Sequence, residues 1–378
     1  MPTLFFYGTL CHLPLLEAVL EVSPGALAGR LDGAVLRDHR VSWVANEAYP
    51  MIEPSRGDVA DGVLLRSVNE DEEARLRYYE GAFSYHLAEV AVDVGAGRET
   101  AICFYPMSAD QSRGAPWVLD DWVRVWGKMA VGAARDVMAR RARYDAETAA
   151  RFRPYLMARH WSRMLGRDAP APTTARYAPA PGDVTVSKRF EGFRGFFELA
   201  EFELHHRRFD GSRSPTVMRE TFLAFDAALV LPYDPSTDHI LLIEQLRFGP
   251  LWREDPHPWV FEPIAGLVDP GEDPADSARR EAEEEAGLKL GPLEPMLRVY
   301  ASPGYTTEFF HCFLGVADLS EFTASAGGLA SENEDIRSHV MSFDAAMDLI
   351  RSGEINVGPL VMMIYWLAAE RSRLRASA

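Results

Sequence analysis

Cysteine is scarce in this sequence: the 378 residues contain three, Cys11, Cys103 and Cys312. They stand among apolar neighbours and their spacing matches no metal-binding motif, which argues against a disulfide-stapled secreted domain and against a cysteine zinc site. The first residues also lack the basic region of a secretion signal. We therefore expect reduced thiols in a cytoplasmic protein.

Long apolar segments and an excess of positive charge are missing as well. The longest apolar run, residues 357–369, is too short to cross a bilayer and predicts a buried helix instead. Lysine and arginine total 39 against 56 for aspartate and glutamate, which gives a net charge of −17. This balance argues against a nucleic-acid partner bound through a general basic surface. We expect neither a nucleic-acid partner nor a membrane partner.

The chain does contain a proline-rich seam that predicts its domain boundaries. Residues 168–183 include the tetrapeptide Ala-Pro-Ala-Pro twice, a composition typical of a semi-rigid spacer. We expect one domain over residues 1–167, a linker over 168–183 and a second domain over 184–378. The first domain is predicted to close with two helices within residues 120–165, separated by a break near Pro154.

An acidic stretch of the second domain carries the strongest functional signal. Glu281, Glu284 and Glu285 fall at i, i+3 and i+4, so they share one face of a helix and repel one another. Arg279 and Arg280 compensate part of this charge. A divalent cation would compensate the rest, because carboxylate oxygens are the ligands that Mg²⁺ and Mn²⁺ prefer. The alternative is a solvated acidic helix that ends at a glycine cap.

The spacing around these glutamates resembles the Nudix box of hydrolases that cleave nucleoside diphosphates linked to a further group. The fixed positions of the box are occupied by Gly266, Glu272, Arg280, Glu281, Glu284, Glu285 and Gly287. The resemblance implies an α/β/α sandwich in which Glu281 and Glu285 hold Mg²⁺, or Mn²⁺, with Glu284 as a further catalytic and metal-binding residue. It also implies that the backbone carbonyl of Ala265 is a ligand, and that Arg280, braced by Glu272, orients the glutamates.

Three features outside the box resemble the ADP-ribose pyrophosphatase branch of the Nudix superfamily. Pro303 lies 16 residues beyond the last glycine of the box, residues 331–336 form an acidic segment, and residues 192–197 read Gly-Phe-Arg-Gly-Phe-Phe. The resemblance implies that Glu332, with Glu334 as the competing choice, is the catalytic base. It also implies a homodimer in which the segment around residues 192–197 is exchanged between subunits.

Recognition of a small nucleoside diphosphate substrate requires cations and aromatic rings. The candidates for phosphate binding are Arg247 and Arg219, and Arg194 is a substrate-binding candidate that could reach the site of the partner subunit. The resemblance to ADP-ribose pyrophosphatases implies that Pro303 is also a substrate-binding residue. Phe196 or Phe197 could stack on a base, although the alternation of side chains along a strand favours the core for both. The alternative for each arginine is an ordinary surface residue.

A second candidate site lies near the beginning of the chain. The segment Tyr7-Gly8-Thr9-Leu10 follows a strand-like run, and Gly8 allows backbone N–H groups to approach an anion closely. Together with Glu80-Gly81 and Tyr85, it makes residues 3–130 resemble the γ-glutamylcyclotransferase-like (AIG2-like) family. The resemblance implies a mixed β-barrel with helices, in which Glu80 is the catalytic acid and base and the segment from Tyr7 to Leu10 binds the substrate's α-carboxylate.

One position departs from that family. His86 stands where family members often carry an arginine, which weakens the assignment of a substrate more than the assignment of a fold. The alternative for the N-terminal domain is a binding or dimer scaffold that has lost catalysis.

The two halves together predict a mixed α/β (α+β) enzyme. The predicted function is Mg²⁺-dependent hydrolysis of the pyrophosphate bond of ADP-ribose to AMP and ribose 5-phosphate, beside a cyclotransferase-like domain whose activity is left open. The alternatives are hydrolysis of another nucleoside diphosphate, such as a nucleotide sugar or a dinucleotide, and nucleotide sensing without catalysis. The domain order resembles bacterial tellurite-resistance proteins, which implies a role in stress.

Overall fold

The computed structural model describes residues 1–81, 85–95, 97–106, 112–169, 171–322, 326–328 and 334–377. The chain forms two compact units, Met1–Ala169 and Pro170–Ala378, and the division between them falls inside the proline-rich segment. Across the described residues, no helix combines the length and the hydropathy that crossing a bilayer requires.

The N-terminal unit is built on a closed five-stranded barrel. Its strands, with one added edge strand, are β1 Leu4–Phe6, β2 Leu31–Val44, β3 Pro50–Leu65, β4 Tyr85–Val94, β5 Gly97–Pro106 and β6 Arg113–Pro116. The order around the barrel is β3-β1-β5-β4-β2, and β2 also pairs with β3, which closes the ring. Phe5 on β1 lies opposite Leu64 of antiparallel β3 and opposite Cys103 of parallel β5. The predicted mixed β-barrel is confirmed.

Helices cover one part of this barrel and share its core. They are α1 Leu13–Leu20, α2 Glu70–Glu80, α3 Leu119–Trp122, α4 Lys128–Met138 and α5 Ala146–Asp168. Leu16 of α1, Leu76 of α2 and Leu156 of α5 are almost fully buried in one cluster with Leu4 and Phe6 of β1. Helices α1, α2 and α5 therefore pack in the same core as β1.

The closing helices differ from the prediction around Pro154. The break falls at residues 139–145, between α4 and α5, and Pro154 lies inside α5. Pro154 is exposed, whereas Leu156 and Ala158 beyond it are buried, so tertiary packing carries the helix past the missing backbone hydrogen bond. Asp145 caps the start of the helix, and its side chain accepts a hydrogen bond of 2.8 Å from the Thr148 amide. The predicted break near Pro154 is wrong.

The C-terminal unit has a large mixed sheet and helices. Its strands are β7 Val184–Arg194, β8 Glu198–His206, β9 Val217–Leu223, β10 Asp226–Asp234, β11 His239–Leu246, β12 Trp259–Glu262, β13 Ile264–Leu267, β14 Leu293–Tyr300, β15 Phe309–Val316, β16 Ala326–Gly327 and β17 Ile336–Ser342. Its helices are α6 Phe248–Trp252, α7 Pro274–Ala286, α8 Phe343–Ser352 and α9 Gly358–Ala376. The main sheet runs β14-β15-β10-β11-β17-β16, with β13 paired to β10 and β12 paired to β11.

Strand β10 shows how helices cover both faces of this sheet. Leu229, Leu231 and Tyr233 pack into a buried cluster with residues of α8 and α9. The alternate residues Ala228 and Val230 point to the opposite face. Helix α7 packs on β10 and β13 through its own buried alanines. The predicted α/β/α sandwich is confirmed.

A separate three-stranded sheet, of order β7-β8-β9, makes up the first part of the unit. Its first two strands are joined by a tight turn, in which the Gly195 amide donates a hydrogen bond of 2.8 Å to the Phe197 carbonyl. Phe196 and Phe197 lie at this turn rather than within a strand, and they are 39% and 52% exposed. The core interpretation of these two rings is therefore wrong. The homodimer that the segment implies stays a prediction.

Candidate active sites

The acidic helix α7 is positioned by local signals at both ends. At its start the Asp273 side chain accepts a hydrogen bond of 2.8 Å from the Ala275 amide, and Pro274 occupies the first helical position. At its end Gly287 adopts the left-handed conformation, with φ of 62°, which glycine accepts at little cost. Buried alanines on one side hold the helix against the sheet, and the glutamates lie on the adjoining side.

The carboxylate of Glu285 is buried and that of Glu281 is partly buried. Glu285 is 2% exposed, and its Oε2 accepts a hydrogen bond of 3.2 Å from the Ala265 amide on β13. Burial, followed by the charge of Glu281, raises the pKa of Glu285 to about 9. Burial also raises the pKa of Glu281 to about 7, although the neighbouring Arg280 opposes that rise. Both groups would ionise more readily beside a cation.

Gly266 allows Glu281 to lie directly on the backbone of β13. A Cβ atom added to Gly266 would stand 1.9 Å from Oε1 of Glu281, a separation that no pair of unbonded atoms tolerates. Gly266 is paired with Ala228 in the sheet, so the strand cannot move away without breaking its ladder. The glycine of the box is therefore needed for the space that the Glu281 carboxylate occupies.

Arg280 is the centre of a network of charges on this helix. Its guanidinium donates to Glu281 Oε1 at 2.6 Å and to Glu284 Oε2 at 3.1 Å. The opposite edge reaches Glu272 Oε2 and the Leu267 carbonyl, both at 3.2 Å. These partners hold the pKa of Arg280 above its usual value despite its partial burial. The arrangement fixes two glutamates of the helix relative to the loop that carries Glu272.

Backbone contact also joins the helix to strand β16. A Cβ atom on Gly327 would lie 1.8 Å from the Glu285 carbonyl oxygen, so the main chains touch at this point. The next residue, Gly328, donates its amide to the Glu284 carbonyl at 3.4 Å. Gly328 has φ of 95°, and a Cβ atom there would lie 2.7 Å from that of Glu334. Strand β16 and Glu334 are thereby held against the end of α7.

Of the two candidate bases, the structure describes only one. Glu332 lies outside the described residues. Glu334 is described, and its charge raises the pKa of Glu281 and of Glu285. The fold therefore brings Glu334 close to the buried carboxylates, as expected of a residue that shares their site.

The predicted phosphate-binding residues fall in different parts of the unit. Arg247 comes directly after β11, is bonded to Glu262 Oε2 at 2.7 Å, and lowers the pKa of Glu285 by its charge, which places it near the acidic helix. Arg194 and Arg219 lie on the separate three-stranded sheet. Pro303 is exposed in a turn that is tied to β9, because the Tyr305 carbonyl accepts a hydrogen bond of 2.8 Å from the Phe222 amide.

Two residues near this site were not predicted from the sequence. Glu262 stands in the apolar strand β12 and holds both Arg247 and, at 3.1 Å, the Gln245 amide group. Burial raises the pKa of Glu262 and of Glu308, and the charge of Arg247 opposes both rises. A carboxylate inside an otherwise apolar strand was the available signal for Glu262. No comparable local pattern marks Glu308.

The glutamate carboxylates of the acidic helix have the chemistry of ligands for a divalent cation. Glu285 is buried, Glu281 is partly buried and the two charges repel each other, and oxygen ligands of this kind suit Mg²⁺ or Mn²⁺. Within the described part of the chain, no group of three or more histidine, cysteine, aspartate or glutamate side chains is already gathered around one point. In this state Glu281 and Glu284 are turned to Arg280 instead.

The N-terminal unit places a buried glutamate at the end of α2. This helix starts with a capping box, in which Asn69 and Glu72 each bond the other's backbone amide. Glu80, its last residue, is 8% exposed, and burial raises its pKa to about 7 while the charge of Arg153 opposes the rise. A carboxyl group with this pKa can both accept and return a proton near neutral pH.

Tyrosines and a tight turn surround Glu80. Tyr7 comes directly after β1 and Tyr85 begins β4, and the two side chains are hydrogen-bonded. Burial raises the pKa of each, and the charge of Glu80 adds to both rises. After Tyr7 the chain turns into a short 3₁₀ helix, Thr9–Cys11, which buries Leu10. Gly8 fits against Pro50, since a Cβ atom there would lie 2.7 Å from that ring. The structure thus brings together the predicted turn and Glu80.

Comparisons with known families match a range in each half of the chain. The NUDIX domain family matches residues 224–360, and the family described as gamma-glutamyl cyclotransferase, AIG2-like, matches residues 4–124. The first range contains the acidic helix, and the second contains Tyr7 and Glu80. The fold and the two sites therefore define an AIG2-like domain followed by a Nudix pyrophosphatase domain.

Curated relatives cover the C-terminal half. An ADP-ribose pyrophosphatase of Escherichia coli (strain K12) is 41% identical over 51% of this chain and 91% of the relative. An ADP-ribose pyrophosphatase of Haemophilus influenzae is 38% identical over 49% of this chain and 86% of the relative. A GDP-mannose pyrophosphatase of Escherichia coli (strain SMS-3-5) is 30% identical over 44% of this chain and 87% of the relative. The chain belongs to the Nudix family and is a hydrolase of nucleoside diphosphate compounds.

Proposed function

We propose that the C-terminal unit hydrolyses ADP-ribose to AMP and ribose 5-phosphate and depends on Mg²⁺ or Mn²⁺. The observation that carries this proposal is the carboxylate pair of buried Glu285 and partly buried Glu281, together with Arg247, whose charge acts on Glu285. Relatives that act on ADP-ribose are more similar to the chain, at 41% and 38% identity, than the relative that acts on GDP-mannose, at 30%. This difference favours ADP-ribose over a nucleotide sugar.

In the proposed mechanism, Glu281 and Glu285 would hold the metal, with help from Glu284 and the Ala265 carbonyl. A metal held there would supply positive charge against the phosphates and a lower pKa for the attacking water. Arg280 keeps Glu281 and Glu284 in place through its hydrogen bonds to both carboxylates. This bracing requires Glu272, which shares its carboxylate between Arg280 and the Ser277 hydroxyl, the latter at 2.6 Å.

Arg247 is proposed to bind the pyrophosphate and a loop glutamate to accept a proton from the water. Glu262 holds the Arg247 guanidinium at one edge, which leaves the remaining N–H groups for phosphate oxygens. Glu332 and Glu334 remain the two proposed bases, and Glu334 has the support of its interaction with Glu281 and Glu285. Arg219 remains a proposed phosphate-binding residue, Arg194 is proposed to reach the site of the partner subunit, and Pro303 is proposed to belong to the substrate site.

A substrate panel tests this function. We expect AMP release from ADP-ribose with either metal, no release with EDTA, and a higher kcat/KM for ADP-ribose than for GDP-mannose, other nucleotide sugars or dinucleotides. Product separation by ion-exchange chromatography would measure each rate. A preference for a nucleotide sugar would refute the substrate, and no turnover of any compound with either metal would refute catalysis in favour of nucleotide sensing.

Gly266→Ala is expected to lower kcat for ADP-ribose by roughly 10²-fold, because the new methyl group would displace the Glu281 carboxylate. A misplacement of about 1 Å is enough for a loss of this size. Gly291→Ala is the matched control, since a Cβ atom there meets nothing within 4 Å. Steady-state rates and circular dichroism of both variants check the prediction. Equal rates for Gly266→Ala and the control would show that Glu281 does not need its present position.

For the N-terminal unit we propose a γ-glutamylcyclotransferase activity, because Glu80 is buried with a pKa of about 7 beside the turn from Tyr7 to Leu10. The substrate's α-amine would attack its own γ-carbonyl, forming 5-oxoproline as the bond to the leaving amine breaks. Glu80 would take the proton from the attacking amine and return it to the leaving amine, while Tyr7, Gly8, Thr9 and Leu10 hold the α-carboxylate. Release of 5-oxoproline from γ-glutamyl amines tests the proposal, and its absence from all of them would favour a scaffold.

A further inference from the structure

Helix α5 lies beyond the part of the N-terminal unit that the AIG2-like family matches, yet it packs on the turn that carries Glu80. The family match ends at residue 124, and α5 spans Ala146–Asp168. A Cβ atom on Gly81 would lie 3.1 Å from the Cβ of Ala146 and 2.8 Å from the Arg77 carbonyl oxygen. The first turn of α5 is therefore in contact with the residue directly after Glu80.

Arg153, two turns along α5, contacts Tyr79, the residue that directly precedes Glu80. Its guanidinium carbon lies 4.1 Å from the centre of the Tyr79 ring, a cation–π distance, and its Nη2 donates to the Tyr79 carbonyl. That carbonyl belongs to the last turn of α2, where backbone acceptors have no helical partner and a cation is favourable. Arg153 thus holds both the side chain and the backbone of Tyr79.

The other titratable groups that face Glu80 differ from Arg153 in charge. Tyr7 after β1, Tyr79 on α2 and Tyr85 on β4 all interact with Glu80, and burial raises the pKa of each, so they stay neutral. Cys103 on β5 acts on Tyr7 and Tyr85, and burial raises the pKa of its thiol to about 12. Among the described residues around Glu80, the positive charge that acts on the carboxyl group is that of Arg153.

We propose that Arg153 is a positioning residue of the N-terminal site, which fixes the Tyr79-Glu80-Gly81 turn from outside the family's usual range and holds a positive charge beside Glu80. Residues after 124 then complete the site instead of merely closing the domain. This inference rests on the proposed proton transfer by Glu80, but the position and charge of Arg153 can be tested without it.

The test measures the ionisation of Glu80 directly in the full chain. Carboxyl-¹³C glutamate is incorporated, the Glu80 signal is assigned by its loss in Glu80→Gln, and its midpoint is read from a pH titration by NMR. Arg153→Gln and Arg153→Met remove the charge with two different shapes, and both are expected to raise the midpoint by about one pH unit. Arg151→Gln is the control, because Arg151 lies on the same helix in an exposed ion pair with Glu147.

Arg153→Lys separates charge from geometry. Lysine keeps the charge but lacks the planar guanidinium that bonds the Tyr79 carbonyl. The titration midpoint of Glu80 in this variant should therefore lie between those in the wild type and in Arg153→Gln. An unchanged midpoint in a folded Arg153→Gln or Arg153→Met protein would overturn the proposal. A Glu80 midpoint in Arg153→Lys as high as in the neutral variants would also overturn it. If both neutral variants fail to fold, Arg153→Lys decides alone, and a Glu80 midpoint equal to that of the wild type would overturn the proposal.

A kinetic arm connects the residue to the reaction. If wild-type protein releases 5-oxoproline, the acidic limb of its pH–kcat profile should move upward in Arg153→Gln by the same amount as the NMR midpoint. A limb that stays in place while the midpoint moves would overturn the role of Arg153 in the reaction. If no γ-glutamyl compound reacts, the proposed activity fails, whereas the NMR midpoints still decide whether Arg153 sets the state of Glu80.

Discussion

Glu285→Gln is expected to lower kcat for ADP-ribose hydrolysis by roughly 10³-fold or more, because a lost metal ligand removes several kcal/mol of stabilisation from the transition state. Glutamine has the shape of glutamate but a neutral, weaker donor group. The measurement is AMP release under saturating Mg²⁺ and, separately, Mn²⁺. Isothermal titration with Mn²⁺ would show weaker metal binding in the variant.

Glu283→Gln is the matched control for this substitution. Glu283 lies on the same helix, but it points to solvent and pairs only loosely with Lys289, at 3.6 Å. Its loss should change kcat by less than about twofold, as surface ion pairs contribute little. If Glu285→Gln retained the activity of this control, Glu285 would have no part in holding the metal.

The stability of Glu285→Gln distinguishes loss of chemistry from loss of fold. The pKa of Glu285 is raised from 4.5 to about 9 in the folded protein, so the folded state binds a proton more tightly than the unfolded state. Its contribution to stability is therefore lost as pH rises from about 4.5 towards 9. Glutamine carries no such cost, so metal-free Glu285→Gln should unfold at pH 7 at the same temperature as the wild type or higher.

Glu80→Gln is expected to lower the rate of 5-oxoproline release by roughly 10²- to 10⁴-fold, the range of a lost general acid and base. Glutamine fits the same buried space, but it cannot accept the amine proton. Release of 5-oxoproline from a γ-glutamyl amine, measured by mass spectrometry, checks the prediction. A rate equal to that of the wild type would assign the proton transfer to another group.

Two controls accompany Glu80→Gln. Glu73→Gln removes a carboxylate from the same helix, where Glu73 forms an ion pair with Arg77 at 2.7 Å, and it should leave the rate unchanged. The hydrolysis of ADP-ribose by the C-terminal unit provides an internal measure of active protein in each preparation. Loss of both activities together would indicate a damaged protein rather than a missing catalytic group.

The sequence predicted the features that local signals determine. The acidic helix α7 ends at the glycine cap Gly287, since caps act over one turn. The same rule explains the error at Pro154, where burial of residues beyond the proline outweighs the local signal. The rings of Phe196 and Phe197 were misjudged because alternation was assumed across a turn.

Contacts between distant parts of the chain could not be predicted from the sequence. The bond of Arg247 to Glu262, the contact of Arg153 with Tyr79 and the closeness of Glu334 to Glu285 each depend on tertiary packing. The spacing of the box predicts which glutamates share a face, but it does not predict that burial raises their pKa values. The candidate sites were therefore named from residues, and their electrostatics come from the fold.

The contact of Gly327 with the Glu285 backbone has a consequence for protein engineering. Main chain touches main chain there, so no side chain acts as an adjustable spacer between β16 and α7. Anyone who exchanges the acidic segment for that of a relative, in order to change substrate preference, should keep residues 326–328 with the helix and graft only residues beyond position 328. A chimera that brings a larger residue to position 327 would separate the grafted segment from the carboxylates of α7.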